Sequence, residues 1–217
     1  MSRLKFVTSL LLMFLCFWSS SLAIRTNGYI INEKSDTIFG IIQLSQLEQT
    51  SGAVKINSFE QESLYSRVLF RKKEAIHFEI FYPKDILGFG FTYKTEKFLF
   101  KRFEVSHNSL FKNESSRFQF LGLTYKGTIE LYRYLNFYDN PHVNRDHIKY
   151  ETYSDYYLFT PSKGLIKVEP TDKIKTVRDL LRLFDFDEKF LKEVSDNISF
   201  KDIKKVLKLY DMWLKAN

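Results

Sequence analysis

Alternation of apolar and polar residues with a period of two is the feature that most constrains the fold of this chain. It recurs between Gly28 and about Val168, in short runs rich in aromatic and β-branched residues. A period of two places successive side chains on opposite faces of a strand, and short runs joined by polar turns pair as antiparallel hairpins. We therefore predict an α+β fold whose β region has eight to ten short strands, built from hairpins into an antiparallel sheet, either curled or arranged as a sandwich.

Polar turn sequences divide this region into hairpins. In GYIINEKSDTIFGII, Glu33–Asp36 separates two apolar runs and suits a reversing turn. In FQFLGLTYKGTIELYRYLNFY, Lys126–Gly127 is predicted to form a two-residue turn in which the glycine adopts positive φ. Another turn is predicted at PSKG, residues 161–164. Residues 44–66 are more polar, and they form either a long excursion or an irregular strand pair.

The segment ILGFGFTYKTEKFLFKRFEV indicates which residues share a face. Counted in twos, Phe89 and Phe91 lie on one face of a strand, and Gly88 and Gly90 lie on the other. A glycine leaves room above its own backbone. We therefore expect a bulky group to pack closely against the glycine face.

Near Pro170 the period changes to three and four residues, which is typical of amphipathic helices. Helices are predicted over Ile174–Phe184, Asp187–Val194 and Ser199–Leu214. Ser199 and Asp202 resemble a capping box at the start of the last one. Its basic face would suit a membrane surface, but packing against the sheet and the sister helices is the prediction. The chain is then a β domain at 24–169 with a helical cap at 170–217 packed on it.

The first residues resemble an export signal. Arg3 and Lys5 precede an apolar run, Phe6–Trp18, of 13 residues, whereas a membrane-spanning helix needs about 20. Small residues at Ser21 and Ala23 predict cleavage before Ile24, which makes residues 1–23 a signal peptide. An uncleaved anchor is one alternative. Lipidation of Cys16 is another, and the large Leu15 before this cysteine disfavours it.

Export would fix the chemistry of the mature chain. Cys16 is the only cysteine, so a cleaved chain has no disulfide, thiol nucleophile or thiolate metal site. The formal net charge of the whole chain is +7, with the densest basic runs at Arg71–Lys73 and Lys201–Lys208. These runs either form a solvated surface or attract anionic lipid headgroups. The predicted location is the periplasm, the cell surface or the medium.

Histidines and tyrosines are the candidate ligand-binding residues. His142 and His147 lie near Asp139 and Asp146 in the loop DNPHVNRDH, which is either a polar exposed loop or a divalent metal site. His77 and His107 lie outside this loop. A group of tyrosines forms either core packing or a binding face; its members are Tyr132, Tyr134, Tyr138, Tyr150, Tyr153, Tyr156 and Tyr157.

The sequence shows no hydrolase nucleophile elbow and no glycine-rich phosphate loop. Carboxylates in or near strands are individually typical of solvent-facing strand positions, although two of them brought together could hydrolyse a glycoside. They are Asp36, Glu79, Asp85, Glu104, Glu130, Glu151 and Asp155. No catalytic, cofactor-binding or metal-binding residue is therefore predicted.

Several segments resemble those of uncharacterised exported bacterial proteins. GYIINEKSDTIFGII resembles their Gly-Tyr-Ile and Gly-Asp-Thr-Ile-x-Gly motifs, with Ser35 in place of the first glycine of the second motif. FYPKDILGFGF resembles Tyr-x-Pro-x-Asp-Ile-x-Gly-Phe, and GTIELYRYLNFY resembles Gly-x-Ile-x-Leu-Tyr. The resemblance implies export and a β-rich fold, and it implies no activity.

Together these patterns predict an exported, envelope-associated protein that binds a partner through aromatic strand faces. The expected partner is a protein or another component of the cell envelope, with peripheral membrane contact as an additional role and no nucleic acid. The alternative is a hydrolase of cell wall or glycan that uses carboxylates brought together by the fold. An enzyme should show a deep pocket with two carboxylates or the 139–147 histidines, and a binding protein should show a shallow aromatic face.

Overall fold

The computed structural model describes residues 23–45, 59, 61, 63–106, 116–138, 151–195 and 197–217. At 106, 116–117, 136–138 and 151–153 only the backbone is described. The predicted leader and the histidine loop lie outside the described residues, as does most of the polar stretch 44–66.

The described residues contain ten strands and a C-terminal group of short helices. The strands are β1 Ile24–Ile31, β2 Thr37–Leu44, β3 Val68–Lys72, β4 Glu79–Phe81, β5 Gly88–Tyr93, β6 Glu96–Ser106, β7 Ser116–Tyr125, β8 Glu130–Tyr138, β9 Glu151–Thr160 and β10 Gly164–Lys167. The helices are α1 Ser63–Ser66, α2 Val177–Arg182, α3 Glu188–Glu193 and α4 Ile203–Ala216, with a 3-10 turn at Phe200–Asp202. None of these described helices is both long and apolar enough to cross a bilayer.

All ten strands belong to one antiparallel sheet in the order β10-β9-β8-β7-β6-β5-β1-β2-β3-β4. The predicted antiparallel sheet followed by C-terminal helix is confirmed, and the sheet is not closed. Most neighbours are consecutive hairpin partners. The exception is β5, which pairs with β1 on the side away from β2 and so makes the first hairpin central to the sheet.

Two faces of the sheet can be distinguished over β1–β6. We call the inner face the one that carries a buried aromatic and aliphatic core, including Ile30, Ile42, Phe70, Phe89, Phe91 and Phe100. The predicted sharing of a face by Phe89 and Phe91 is confirmed, since the two rings stack with centroids 6.5 Å apart. The outer face is the opposite one, and it carries the glycine side of β5.

The C-terminal helices pack on the β8–β9 part of the sheet. Their apolar residues join Leu131 of β8 and Leu158 of β9, both 0% exposed, in one buried cluster. On α4 the buried residues are Ile203, Val206, Leu207 and Tyr210. Packing of the last helix against the sheet is therefore observed, as the sequence predicted.

Reversing turns form at two of the predicted places, with Asn32 added to Glu33–Asp36 in the first. Between β1 and β2, the Asn32 side chain accepts hydrogen bonds from the backbone of Lys34 and Asp36 at 3.0 and 2.8 Å. Between β9 and β10, Gly164 has a φ of 74°, and a Cβ added there would meet no atom within 4 Å. Glycine at this position therefore serves the backbone conformation and not a close contact.

The prediction for Lys126–Gly127 was wrong. The connection between β7 and β8 runs from Lys126 to Ile129, and Gly127 is not among the described glycines with positive φ. Its glycine serves close approach instead, because a Cβ there would lie 1.9 Å from Oδ2 of Asp211 on α4. Sequence spacing identified the turn, but it did not reveal the helix that packs against it.

Asp211 links this loop to α4. Its carboxylate accepts hydrogen bonds from the Tyr125 hydroxyl and from the Thr128 backbone, the latter at 3.2 Å. Burial alone would raise the pKa of Asp211, but these hydrogen bonds outweigh burial and lower it below its ordinary value. Burial, reinforced by Asp211, raises the pKa of Tyr125 to about 12, so the hydroxyl remains a donor at neutral pH.

The capping box occurs at a different helix from the one predicted. Thr176 and Asp179 form it at the start of α2, where each side chain accepts a hydrogen bond from the backbone of the other residue. The Ser199 hydroxyl accepts from the backbone of Lys201 and so caps the 3-10 turn. The first hydrogen-bonded turn here is the tighter 3-10 type, and this shifts the capped residue from the third to the second position.

Candidate binding groove on the outer face

A row of paired residues crosses four strands on the outer face. Phe39 of β2 pairs with Tyr29 of β1, Tyr29 pairs with Gly90 of β5, and Gly90 pairs with Leu99 of β6. Neighbouring strands lie about 4.8 Å apart, so directly paired side chains on one face are in contact distance. The row lines an open groove of about 600 Å³, which we call the outer groove.

Gly90 determines the shape of the row. A Cβ at Gly90 would lie 2.7 Å from the Tyr29 hydroxyl oxygen, 2.8 Å from Cζ of that ring and 2.9 Å from Cδ2 of Leu99. The Tyr29 ring therefore lies directly over the glycine backbone. This is the bulky group that the glycine face of β5 was expected to accept.

Tyr29 and Phe39 form an aromatic platform. Their ring centroids are 6.0 Å apart, and their planes are inclined at 60°, an edge-to-face arrangement. Phe39 is 65% exposed; among the large apolar side chains described, Met212 equals it and only Ile76, at 81%, is more exposed. An exposed ring held by a second ring offers rigid apolar contact area at little cost in conformational entropy.

The remaining lining is polar and basic. Lys73, which follows β3, and Lys97 of β6 line the groove, together with Asn27 and Thr92. No carboxylate lines it among the residues the structure describes. The groove therefore combines an aromatic surface with two ammonium groups and with amide and hydroxyl donors, and this suits a ligand with a flat apolar part and negative charge.

A second concavity lies beside the part of β7 for which no pairing with β8 is described. Pairing of β8 with β7 is described from Tyr125 to Gly122 only, and Tyr65 of α1 packs beyond it, with its ring 5.1 Å from that of Tyr134. This concavity of about 540 Å³ is lined by Tyr65, Tyr82, Lys84, Phe118, Gln119 and Tyr134 among others. Like the outer groove, it has no carboxylate in its described lining.

The tyrosine group is largely part of the packing. Tyr132 and Tyr157 are 3% and 6% exposed in a buried cluster with Phe103, Val105 and Leu121. Tyr132 donates a hydrogen bond to Glu130 at 2.7 Å; burial first, then this carboxylate, raises the pKa of Tyr132. Burial, followed by the Asp155 carboxylate, raises the pKa of Tyr157 to about 12. Core packing, one of the two interpretations left open, therefore holds for these two residues.

The other candidates are dispersed or lie outside the described residues. His107, His142, His147, Asp139 and Asp146 are outside them, and so are Tyr150 and the side chains of Tyr138, Tyr153 and Glu151. His77 is exposed, and the described residues contain no group of three metal-ligating side chains. Asp36 and Asp85 accept local turn hydrogen bonds, and Asp155 lies 3.3 Å from Lys167.

Sequence reasoning missed the platform. Tyr29 lies four residues before the predicted turn Glu33–Asp36 and Phe39 three residues after it, so a hairpin with that turn would set Gly40 opposite Tyr29. The observed connection also includes Asn32, and this shifts the register by one residue so that Tyr29 pairs with Phe39. The hairpin pattern also lacks the pairing of β1 with β5, which sets the Tyr29 ring beside Gly90. Comparison of the chain with protein-family models, with curated proteins and with solved structures found no match.

Proposed function

We propose that this chain is an exported, envelope-associated protein that binds its partner non-enzymatically through the outer groove. The observation that carries the proposal is the exposed Phe39 ring resting against Tyr29 beside two lysines. A shallow aromatic surface is the arrangement expected of a binding protein. The hydrolase alternative needs two carboxylates about 5–10 Å apart in a cleft, and neither concavity on the sheet has a carboxylate in its described lining.

The proposed partner is an anionic component of the cell envelope that presents rings or apolar groups. Lys73 and Lys97 attract negative charge, and Tyr29 and Phe39 supply stacking surface. An interface with a few aromatic anchors typically depends on those anchors for most of its affinity. Phe39, being the most exposed ring of the groove, is the side chain whose removal should matter most.

We also infer that the sheet is curled and is not a sandwich. Its ten strands form one continuous hydrogen-bonded order. Phe103 on β6 and Phe159 on β9 are separated by two strands, a distance of about 14 Å in a flat sheet. Their ring centroids are 5.1 Å apart, and Lys101 lies 4.2 Å from the Phe159 ring, as strong curvature toward the outer face would require.

Loss of the Phe39 ring should weaken partner binding. Envelope fractions from the native cell would be passed over immobilised wild-type protein and the Phe39→Ala variant, and retained material would be quantified. We expect about tenfold weaker retention, because an exposed aromatic anchor contributes about 1.4 kcal/mol or more. Leu183→Ala is the matched control, since Leu183 is an exposed apolar residue, 43% accessible, outside the groove lining. Equal retention by both variants would contradict the proposal.

Export makes a separate prediction about the native chain. β1 begins at Ile24, so cleavage before this residue would leave every described strand intact. Sequencing the first residues of the protein from its native cell should therefore give Ile24 as the start. A start at Met1 would contradict cleavage, and full-length chain recovered from the cytosol would contradict export.

A further inference from the structure

The side of α4 that faces away from the sheet is strongly basic. The other side of α4 is buried in the cluster that contains Leu131 and Leu158. The lysines of α4 and of the 3-10 turn before it are all exposed. They are Lys201, Lys204, Lys205, Lys208 and Lys215. Only Lys205 among them has a described ion pair, with Asp202 at 2.8 Å, so this side has a large excess of positive charge.

Two large apolar side chains lie among these lysines. Leu209 is 55% exposed and Met212 is 65% exposed. At 100° per residue, Met212 lies within about 40° of both Lys205 and Lys208 around the helix axis. A solvated helix face ordinarily carries polar residues here, whereas apolar side chains flanked by lysines are the composition of helices that lie in a membrane interface.

A cleft of about 530 Å³ adjoins this face. It lies between the β7–β8 loop and α4, and it is lined by Lys126 of the loop and by Lys208, Met212 and Lys215 of the helix. Asp211 is the carboxylate in its lining, and it already accepts hydrogen bonds from Tyr125 and Thr128. Three ammonium groups therefore surround a recess of a size that admits a phosphate headgroup.

We propose that this surface, which we call the α4 basic face, docks on anionic phospholipid membrane. The lysines match the negative headgroups, the cleft receives one headgroup phosphate, and Met212 and Leu209 enter the boundary between headgroups and acyl chains. A nucleic acid would use the lysines but gain little from two exposed aliphatic side chains, so a bilayer is the better complement. This contact is independent of the outer groove, because the two surfaces share no lining residue.

The test is cosedimentation of the full chain with vesicles of phosphatidylglycerol and phosphatidylcholine, compared with phosphatidylcholine alone. The apolar run Phe6–Trp18 is the same in every variant, so differences between variants report the α4 basic face. K208Q/K215Q should bind mixed vesicles about thirtyfold more weakly, at about fivefold per lysine. K34Q/K84Q is the matched control, with the same loss of charge at exposed turn residues, and it should bind as the wild type does.

Further arms distinguish a membrane from a simple anion site. Met212→Gln should reduce vesicle binding about fivefold, since it removes apolar burial and keeps the side-chain size. Wild-type binding should weaken as salt is raised. The proposal is overturned if Met212→Gln binds as the wild type does, if K34Q/K84Q loses as much as K208Q/K215Q, or if both vesicle compositions bind equally. Release by millimolar inorganic phosphate would also overturn it in favour of a free-phosphate site.

Discussion

Gly40→Ala should lower the free energy of unfolding by about 3 kcal/mol or more, because no space exists for the added methyl group. Gly40 pairs with Gly28 on one side and with Lys72 on the other, in the middle of the sheet. A Cβ at this position would lie 2.2 Å from the Arg71 carbonyl oxygen and 2.6 Å from the Phe70 ring. The first contact is with backbone, so β2 and β3 would have to separate to relieve it.

Urea unfolding followed by circular dichroism measures this effect. Gly122→Ala is the matched control, since Gly122 is also a strand glycine facing the aromatic core. Its Cβ would lie 3.3 Å from the Phe100 ring and 3.4 Å from the Tyr65 hydroxyl, so a shift of a few tenths of an ångström by side-chain atoms would relieve the contact, and no backbone has to move. We expect a change of about 1 kcal/mol or less for Gly122→Ala. Equal losses in the two variants would show that close approach is not what requires glycine at residue 40.

Local pattern predicted the hairpins and the faces of their strands. The period of two fixes which residues lie on one side, so the shared face of Phe89 and Phe91, opposite Gly90, followed from sequence spacing alone. Which of the two faces is buried did not follow from it. Turn chemistry likewise predicted the β1–β2 and β9–β10 connections. In the first a polar side chain hydrogen-bonds to the nearby backbone, and in the second Gly164 adopts positive φ.

Contacts between distant segments were beyond the reach of local pattern. Pairing of β5 with β1 joins residues about 60 positions apart, and nothing within either hairpin specifies which of its edges will be covered. The same holds for Gly127, whose role depends on Asp211 of α4. Both features depend on contacts between segments that are far apart in the sequence.

The outer groove also combines features that local pattern predicts with features that depend on distant segments. A turn at Glu33–Asp36 would set Gly40 opposite Tyr29, whereas the observed register pairs Tyr29 with Phe39. The exposure of these two rings depends on which residues the other strands cover. The tyrosines 132 and 157 alternate in the same way, yet they are covered by Phe103 and Leu121. Aromatic alternation is therefore the same for a binding surface and for a core, and only the three-dimensional arrangement separates the two.

Phe89→Ala should cost about 4 kcal/mol of unfolding free energy, since phenylalanine removed from a core typically costs 3–5 kcal/mol. Phe89 is 1% exposed. Its ring stacks on Phe100 with centroids 4.6 Å apart and meets Phe120 edge-on at 5.0 Å, so its loss opens a cavity between strands β5, β6 and β7. Urea unfolding again supplies the measurement, with an expected shift of the midpoint to lower denaturant.

Phe39→Ala is the comparison that gives this result its functional meaning. It removes the same side chain from the outer face, where the ring is 65% exposed and touches Tyr29 at its edge, so we expect a stability change within about 0.5 kcal/mol. A loss of unfolding free energy near that of Phe89→Ala would mean that Phe39 stabilises the sheet and is not a free binding surface. If Phe39→Ala remains folded while envelope retention falls, the loss is due to the outer groove, because the core that supports it is unchanged.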